Sequence, residues 1–297
     1  MLAPLPQSWS EQLAPVTIQP FTSPVGPTVA IPDSPLEVFE LFFTADLQQK
    51  IVNETNRYAK QVMGDVRYSS WTKITREELK AFIGFSILMG INRLPSVDDY
   101  WSKDPLLHYS PISNKIPRWR FREISRYLHF VNNDDLAPRG DPMHDRLGKV
   151  RPLIDHLSSK FSSLYEPSKD VAVDEAMIKF QGRSALKQYM PMKPIKRGIK
   201  VWVLGDSTNG YFSRFQVYTG RQETREVGLG AHVVKTLTSD LKHKYHHVYF
   251  DNFFTSVQLL EDLEEDGIYG CGTARKDRRG FPPSLKAVRL RERYVTF

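Results

Sequence analysis

The sequence predicts an α/β protein in which an all-helical region precedes a mixed β-sheet. Three observations point there. Between Ser34 and Phe161, apolar residues recur at helical spacing behind capping signals. From Val171 the pattern changes to alternating runs, two of them joined by Asn209-Gly210, a hairpin signal. Beyond that hairpin, helical and extended patterns alternate as parallel units require. The expected organisation is a disordered arm over residues 1–33, a helical region over 34–166 and a sheet domain over 167–297. The arm is rich in Pro, Ser, Thr and Gln and lacks periodicity.

The helical elements follow from their boundaries. Ser34-Pro35-Leu36-Glu37 reads as a capping box with Pro at the first helical position. Thr44 is placed to cap a second helix carrying Leu47, Ile51, Tyr58 and Val62 on one side. Thr75 and Glu78 form another capping box, opening an apolar helix through Ile91 that should be central to the layer. Pro117 opens a helix with Phe121, Ile124, Leu128 and Val131 inward. Arg118, Arg122 and Arg126 form a stripe on it, either a solvated face or a row of phosphate contacts. Leu147, Val150, Ile154, Leu157 and Phe161 mark the last helix, with Pro152 in its first turn or at a kink.

The strands are expected at 171–180, 199–204, 211–218, 247–251 and 268–273. Helices fall near Val233–Leu241 and after a Thr255/Gln258 capping box. The order β-β-β-α-β-α-β describes an RNase H-like mixed sheet, with the first strand central and the fourth beside it. That topology brings Asp174 on the first strand close to Asp251 at the end of the fourth. A carboxylate in an apolar strand is costly to bury uncompensated, so two of them on neighbouring strands point to a divalent cation. The competing reading is a buried salt bridge at Asp174 and a helix cap at Asp251. Two Mg²⁺ ions (or Mn²⁺) held about 3.5–4 Å apart drive in-line phosphoryl displacement. Such a site normally takes a third carboxylate, and none follows clearly before Phe297.

Other groups fit catalysis less well. Asp206 belongs to a turn, Glu175 faces away from Asp174, and His243, His246 and His247 read as a solvated loop. Arg183, Lys187, Lys193, Lys196, Arg197 and Lys200 crowd the segment after the first acid, with Tyr189 among them. Read as a DNA contact, this cluster neutralises phosphates. Read otherwise, it is a charged loop over a sheet edge.

Composition narrows the partners. A chain of 297 residues with 40% hydrophobic and 25% charged residues suits two globular domains. No apolar run reaches the ~18 residues of a membrane span, so no membrane partner is expected. The start lacks the pattern of a signal peptide. The single cysteine, Cys271, excludes an internal disulfide framework and a cysteine-rich zinc module within this chain. It fits a reducing compartment. A net charge of +7 and a pI near 9.3 favour a polyanion.

Longer motifs carry a resemblance. Val173-Asp-Glu-Ala-Met-Ile-Lys-Phe-Gln-Gly-Arg183 and Gln188-Tyr-Met-Pro-Met-Lys-Pro-Ile-Lys-Arg-Gly-Ile-Lys-Val-Trp202 resemble the core of piggyBac-type transposases and their domesticated derivatives. Tyr249-Phe-Asp-Asn-Phe-Phe-Thr-Ser256 is similar to that family's second catalytic block, and Cys271 to Pro282 to the segment after it. The resemblance reaches back to about Ser34. It implies cut-and-paste DNA transposition at TTAA sites, terminal-repeat binding, a dimer, a nuclear location and three metal-binding aspartates. Asp174 and Asp251 match the first two aspartates, and Arg183 matches a DNA-contacting arginine. The helices resemble the first part of a dimerisation and DNA-binding domain. Gln181 departs from the family, which usually carries Arg there. The family's third aspartate, its inserted domain and its cysteine-rich tail have no counterpart here. The expectation is a C-terminally truncated core that does not transpose by itself. The alternative is a domesticated, non-catalytic DNA-binding or protein-interaction module.

Overall fold

The computed structural model describes residues 17–220, 228–278 and 280–286. They divide into two compact units. One is Pro32–Lys160; the other joins the chain up to Ile31 with the chain from Phe161 onward. The expected boundary near 166 therefore lies at Lys160/Phe161, within a helix.

The first unit is helical: α1 (Pro35–Phe42), α2 (Ala45–Tyr68), α3 (Arg76–Ile91), α4 (Ser110–Ser113), α5 (Arg118–Tyr127) and the start of α6 (Arg151–Ser163). Thr44 accepts from Leu47 N at 3.4 Å, and Thr75 and Glu78 exchange both bonds of a capping box. Pro152 sits in the first turn of α6. Leu47, Ile51, Leu79, Phe82, Phe121 and Ile124 make the core. Arg120 is 4% exposed beneath it, bonded to Glu78, Glu123 and the Thr72 carbonyl.

Several expectations need correction. Ser34 precedes α1 but makes no side-chain cap bond. Gly64, at φ 69°, breaks the helical path of α2, a conformation that glycine adopts without penalty. Val62, expected inward, is exposed. α3 buries Leu79, Phe82 and Phe85 but leaves Ile87 and Ile91 exposed, so it is covered on one side rather than all round.

The second unit begins with β1 (Gly26–Pro27), paired antiparallel with β2 (Tyr165–Glu166). Then come β3 (Asp170–Lys179), β4 (Lys187–Tyr189), β5 (Arg197–Asp206), β6 (Phe212–Val217), α7 (Leu229–Leu237), β7 (His247–Phe250), α8 (Val257–Glu265), β8 (Tyr269–Gly272) and α9 (Pro283–Lys286). The sheet order is β4-β5-β3-β7-β8, with β6 also on β5. β3 is antiparallel to β5 and parallel to β7. This is the mixed sheet expected from the element order, with its first long strand in the middle. Val171, Val173, Leu204, Val248 and Phe250 pack against Val233, Leu237, Leu259 and Leu263 of α7 and α8.

The expected disordered arm lies outside the described residues up to 16. Residues 17–33 differ from it. Besides the β1–β2 pair, Gln19 N donates to the Tyr269 hydroxyl at 2.7 Å, and Phe21 meets His246 edge-on at 4.7 Å. His246 is fully buried, against the expected solvated loop. Its Nδ1–H donates to the Ser168 carbonyl, and burial pulls its pKa down. The cap of α8 is Ser256, which accepts from Leu259 N, whereas Thr255 donates to the Asp251 carbonyl.

Candidate functional site

Register places the two aspartates together. Val173 on β3 pairs with Phe250 on the parallel β7. One residue further along each strand come Asp174 and Asp251. Adjacent strands run ~4.8 Å apart, and side chains alternate between faces. Val173 and Phe250 are buried under the helices, so both aspartates emerge on the other side, and both are exposed. Asp251 stands just past the carboxyl end of β7, where ligands of α/β sheets gather, and Asp174 stands beside it midway along the parallel β3.

The pair fits a hard cation. Oδ1 of Asp174 accepts from Glu175 N at 2.7 Å, and Oδ1 of Asp251 from Phe253 N at 2.8 Å. These bonds orient each carboxylate and leave Oδ2 of each for a ligand. Mg²⁺ takes one or two carboxylates plus water and phosphate oxygens. Among the described residues, no group of three or more His, Cys, Asp or Glu side chains gathers to hold a metal.

The turn behind Asp251 is held from several sides. The Asp251 carbonyl accepts from Phe254 N, Thr255 N and the Thr255 hydroxyl. Arg278 Nη2 donates to the carbonyls of Asn252 and Phe253, and Arg275 Nε to Asn252 Oδ1. A Cβ on Gly230 of α7 would lie 2.8 Å from the Phe253 carbonyl oxygen and 2.9 Å from Phe254 Cα. Gly230→Ala is therefore expected to displace this turn and cost about 1–3 kcal/mol. Urea unfolding should show that loss; an unchanged midpoint would mean the helix yields freely. Gly230, Arg275 and Arg278 were not singled out from the sequence as site residues. Arg275 and Arg278 stand three residues apart, and their contact with the Asp251 turn needs the β7–β8 pairing.

The cationic residues take distinct places. Arg183 and Lys196 are exposed, and Lys187 donates to the Gly182 carbonyl. Arg197 lies over the Tyr189 ring at 5.1 Å. Lys193 pairs with Glu175 at 3.4 Å. The segment read as basic contains strand β4 on the sheet edge. In the helical unit, Arg118 is exposed, Arg126 lies over the Tyr127 ring and Arg122 grips Asp98 with two bonds. The hydrogen bond from Arg122 holds the Asp98 carboxyl below its usual range.

A family model described as Transposase IS4 matches residues 34–296. The chain belongs to the IS4 transposase family. Among its relatives are piggyBac transposable element-derived proteins. Human PiggyBac transposable element-derived protein 2 is 34% identical over 82% of this chain and 40% of its own length. Human PiggyBac transposable element-derived protein 3 is 32% identical over 94% of this chain and 47% of its own length. The chain thus spans about half the length of these relatives. A piggyBac transposase, seen by cryo-EM in a synaptic complex with hairpin DNA, matches with a TM-score of 0.79 at 29% identity. That match covers 91% of this chain and 57% of the other. The domain is a piggyBac-derived DDE transposase-like domain.

Proposed function

We propose that this domain binds transposon-end DNA and contributes two acids to a Mg²⁺-dependent strand-transfer site for cut-and-paste transposition at TTAA sequences in the nucleus. The observation that carries the reading is the level placement of Asp174 and Asp251 on adjacent parallel strands. A divalent ion held by Asp174 and Asp251 would lower the cost of deprotonating the attacking water and stabilise the leaving oxygen. In the reaction, water attacks phosphorus, the P–O3′ bond breaks and a 3′-hydroxyl is released. That hydroxyl attacks a phosphate of the opposite strand, expels the flanking 3′-oxygen and closes a hairpin. A second water opens the hairpin and frees the 3′-hydroxyl, which then attacks a target phosphate and expels a target 3′-oxygen. Lys187 on β4, Arg197 at the start of β5, and Arg183 and Lys196 in the loops on either side of β4 supply phosphate contacts. Arg118 and Arg126 supply them in the helical unit. Synapsis of two ends calls for two copies of the protein.

Two carboxylates hold one ion more readily than a bridged pair, and no third acid joins them among the described residues. This favours the binding role for the 297-residue chain by itself. The test incubates the chain with Mn²⁺ or Mg²⁺ and a TTAA-flanked terminal-repeat duplex. Binding without nicking, weakened by salt and by Arg183→Ala, is the expected result. Nicking that disappears in Asp174→Ala would show that the chain cleaves unaided. Absence of binding at low salt would remove the DNA reading.

A further inference from the structure

Lys200 lies on β5 with its side chain 13% exposed, and its ammonium approaches Glu175 Oε2 at 3.3 Å. The same ammonium stands 5.4 Å from the ring centre of Trp202, 5.9 Å from Tyr218 and 5.3 Å from Phe253. Two of these rings follow from the sheet. Trp202 is two residues along the same strand, and Tyr218 N bonds the Lys200 carbonyl. Phe253 does not. It belongs to the turn that starts at Asp251, and its amide is the one that orients that carboxylate. Glu175 directly follows Asp174, and its amide orients the other carboxylate.

One ammonium therefore touches the residue that orients each acid. A plain ion pair would not need this arrangement, because Glu175 already has Lys193 at 3.4 Å. With two lysines on one carboxylate, a positive charge is left over. Ring faces stabilise such a charge when water is excluded.

We infer that Lys200 is a positioning residue that ties β3 to the Asp251 turn and so sets the separation of the two carboxylates. The inference rests on the reading of Asp174 and Asp251 as a metal pair. It concerns the tie between them, which neither acid supplies.

The test measures Mn²⁺ binding to the full 297-residue chain by the electron paramagnetic resonance of free Mn²⁺. Asp174→Asn should abolish binding. Lys200→Met keeps the stem and removes the charge, and should weaken binding about tenfold, as loss of an orienting partner does. Phe253→Leu should weaken it similarly and add little in the Lys200→Met background, because both remove one contact. Equal affinity in wild type and Lys200→Met, or full additivity of the two changes, overturns the inference. Hydrogen exchange gives a readout that needs no metal. The amides of Phe253, Phe254 and Thr255 should exchange faster in Lys200→Met, while those of Val233–Leu237 in α7 keep their rates. If Asp174→Asn leaves Mn²⁺ binding unchanged, the metal reading falls and exchange alone decides the tie. Faster exchange confined to the turn then upholds it, and equal or uniformly raised rates overturn it.

Discussion

Arg120→Ala is expected to destabilise the helical unit by about 3 kcal/mol, the lower end of what removing one partner from a buried ion pair costs. The Arg120 side chain is 5% exposed. Its Nε and Nη2 take both oxygens of Glu78, Nη1 takes Glu123 and Nη2 also reaches the Thr72 carbonyl. The guanidinium also lies 5.2 Å from the Trp71 ring centre. Burial alone would pull its pKa down, but the bonds to Glu78 and Glu123 more than offset this and raise it. The lower end applies because Glu78 and Glu123 are 34% and 24% exposed and regain water when the arginine is lost. Glu78 also closes the capping box of α3, so its loss of orientation reaches Thr75. Arg120→Lys should recover only part of the loss, since an ammonium cannot match the fork. Urea unfolding with hydrogen exchange at α3 and α5 measures the effect. A change under 1 kcal/mol would mean the network is balanced by its own desolvation.

Asp206→Ala should cost a similar amount, about 3 kcal/mol, in the sheet unit. Asp206 is 2% exposed at the end of β5. It accepts from Ser168 N at 2.7 Å, Ser168 Oγ at 2.7 Å and Thr208 N at 2.8 Å. Burial raises its pKa, and the bonds from Ser168 and Thr208 reverse that to a net lowering. The folded value then lies below the unfolded one of about 3.9. Its stabilising contribution is complete above that unfolded value and is lost as pH falls through the lower folded one. Wild type should therefore lose stability in acid more steeply than Asp206→Asn, which cannot titrate. Parallel acid slopes from thermal melts between pH 5 and pH 2 would refute this.

Asp206 also shows where sequence reading stops. As a turn residue it was expected to bond locally, and its bond to Thr208 is local. Its bonds to Ser168 depend on β3 and β5 lying side by side. The same holds for His246, whose burial comes from Phe21 and Ser168, both distant in sequence. The helices were legible because apolar spacing and capping residues coincide, as at Thr75 and Glu78. The relation of Asp174 to Asp251 was legible because a parallel return strand leaves few registers. The cap of α8 slipped by one because Thr255 and Ser256 are adjacent hydroxyls competing for one role. The β1–β2 pair was invisible, since a Pro-rich two-residue strand has no period to read.

That pair has a consequence for how the chain is made. Gly26 and Pro27 emerge from the ribosome long before their partners Tyr165 and Glu166, and Gln19 well before Tyr269. The helical unit, contiguous over Pro32–Lys160, can close on itself meanwhile. The sheet unit cannot finish until its last strands exist. The segment around Gln19–Pro27 thus waits while its partners are translated, a loop closure that separates Gln19 from Tyr269 by 250 residues.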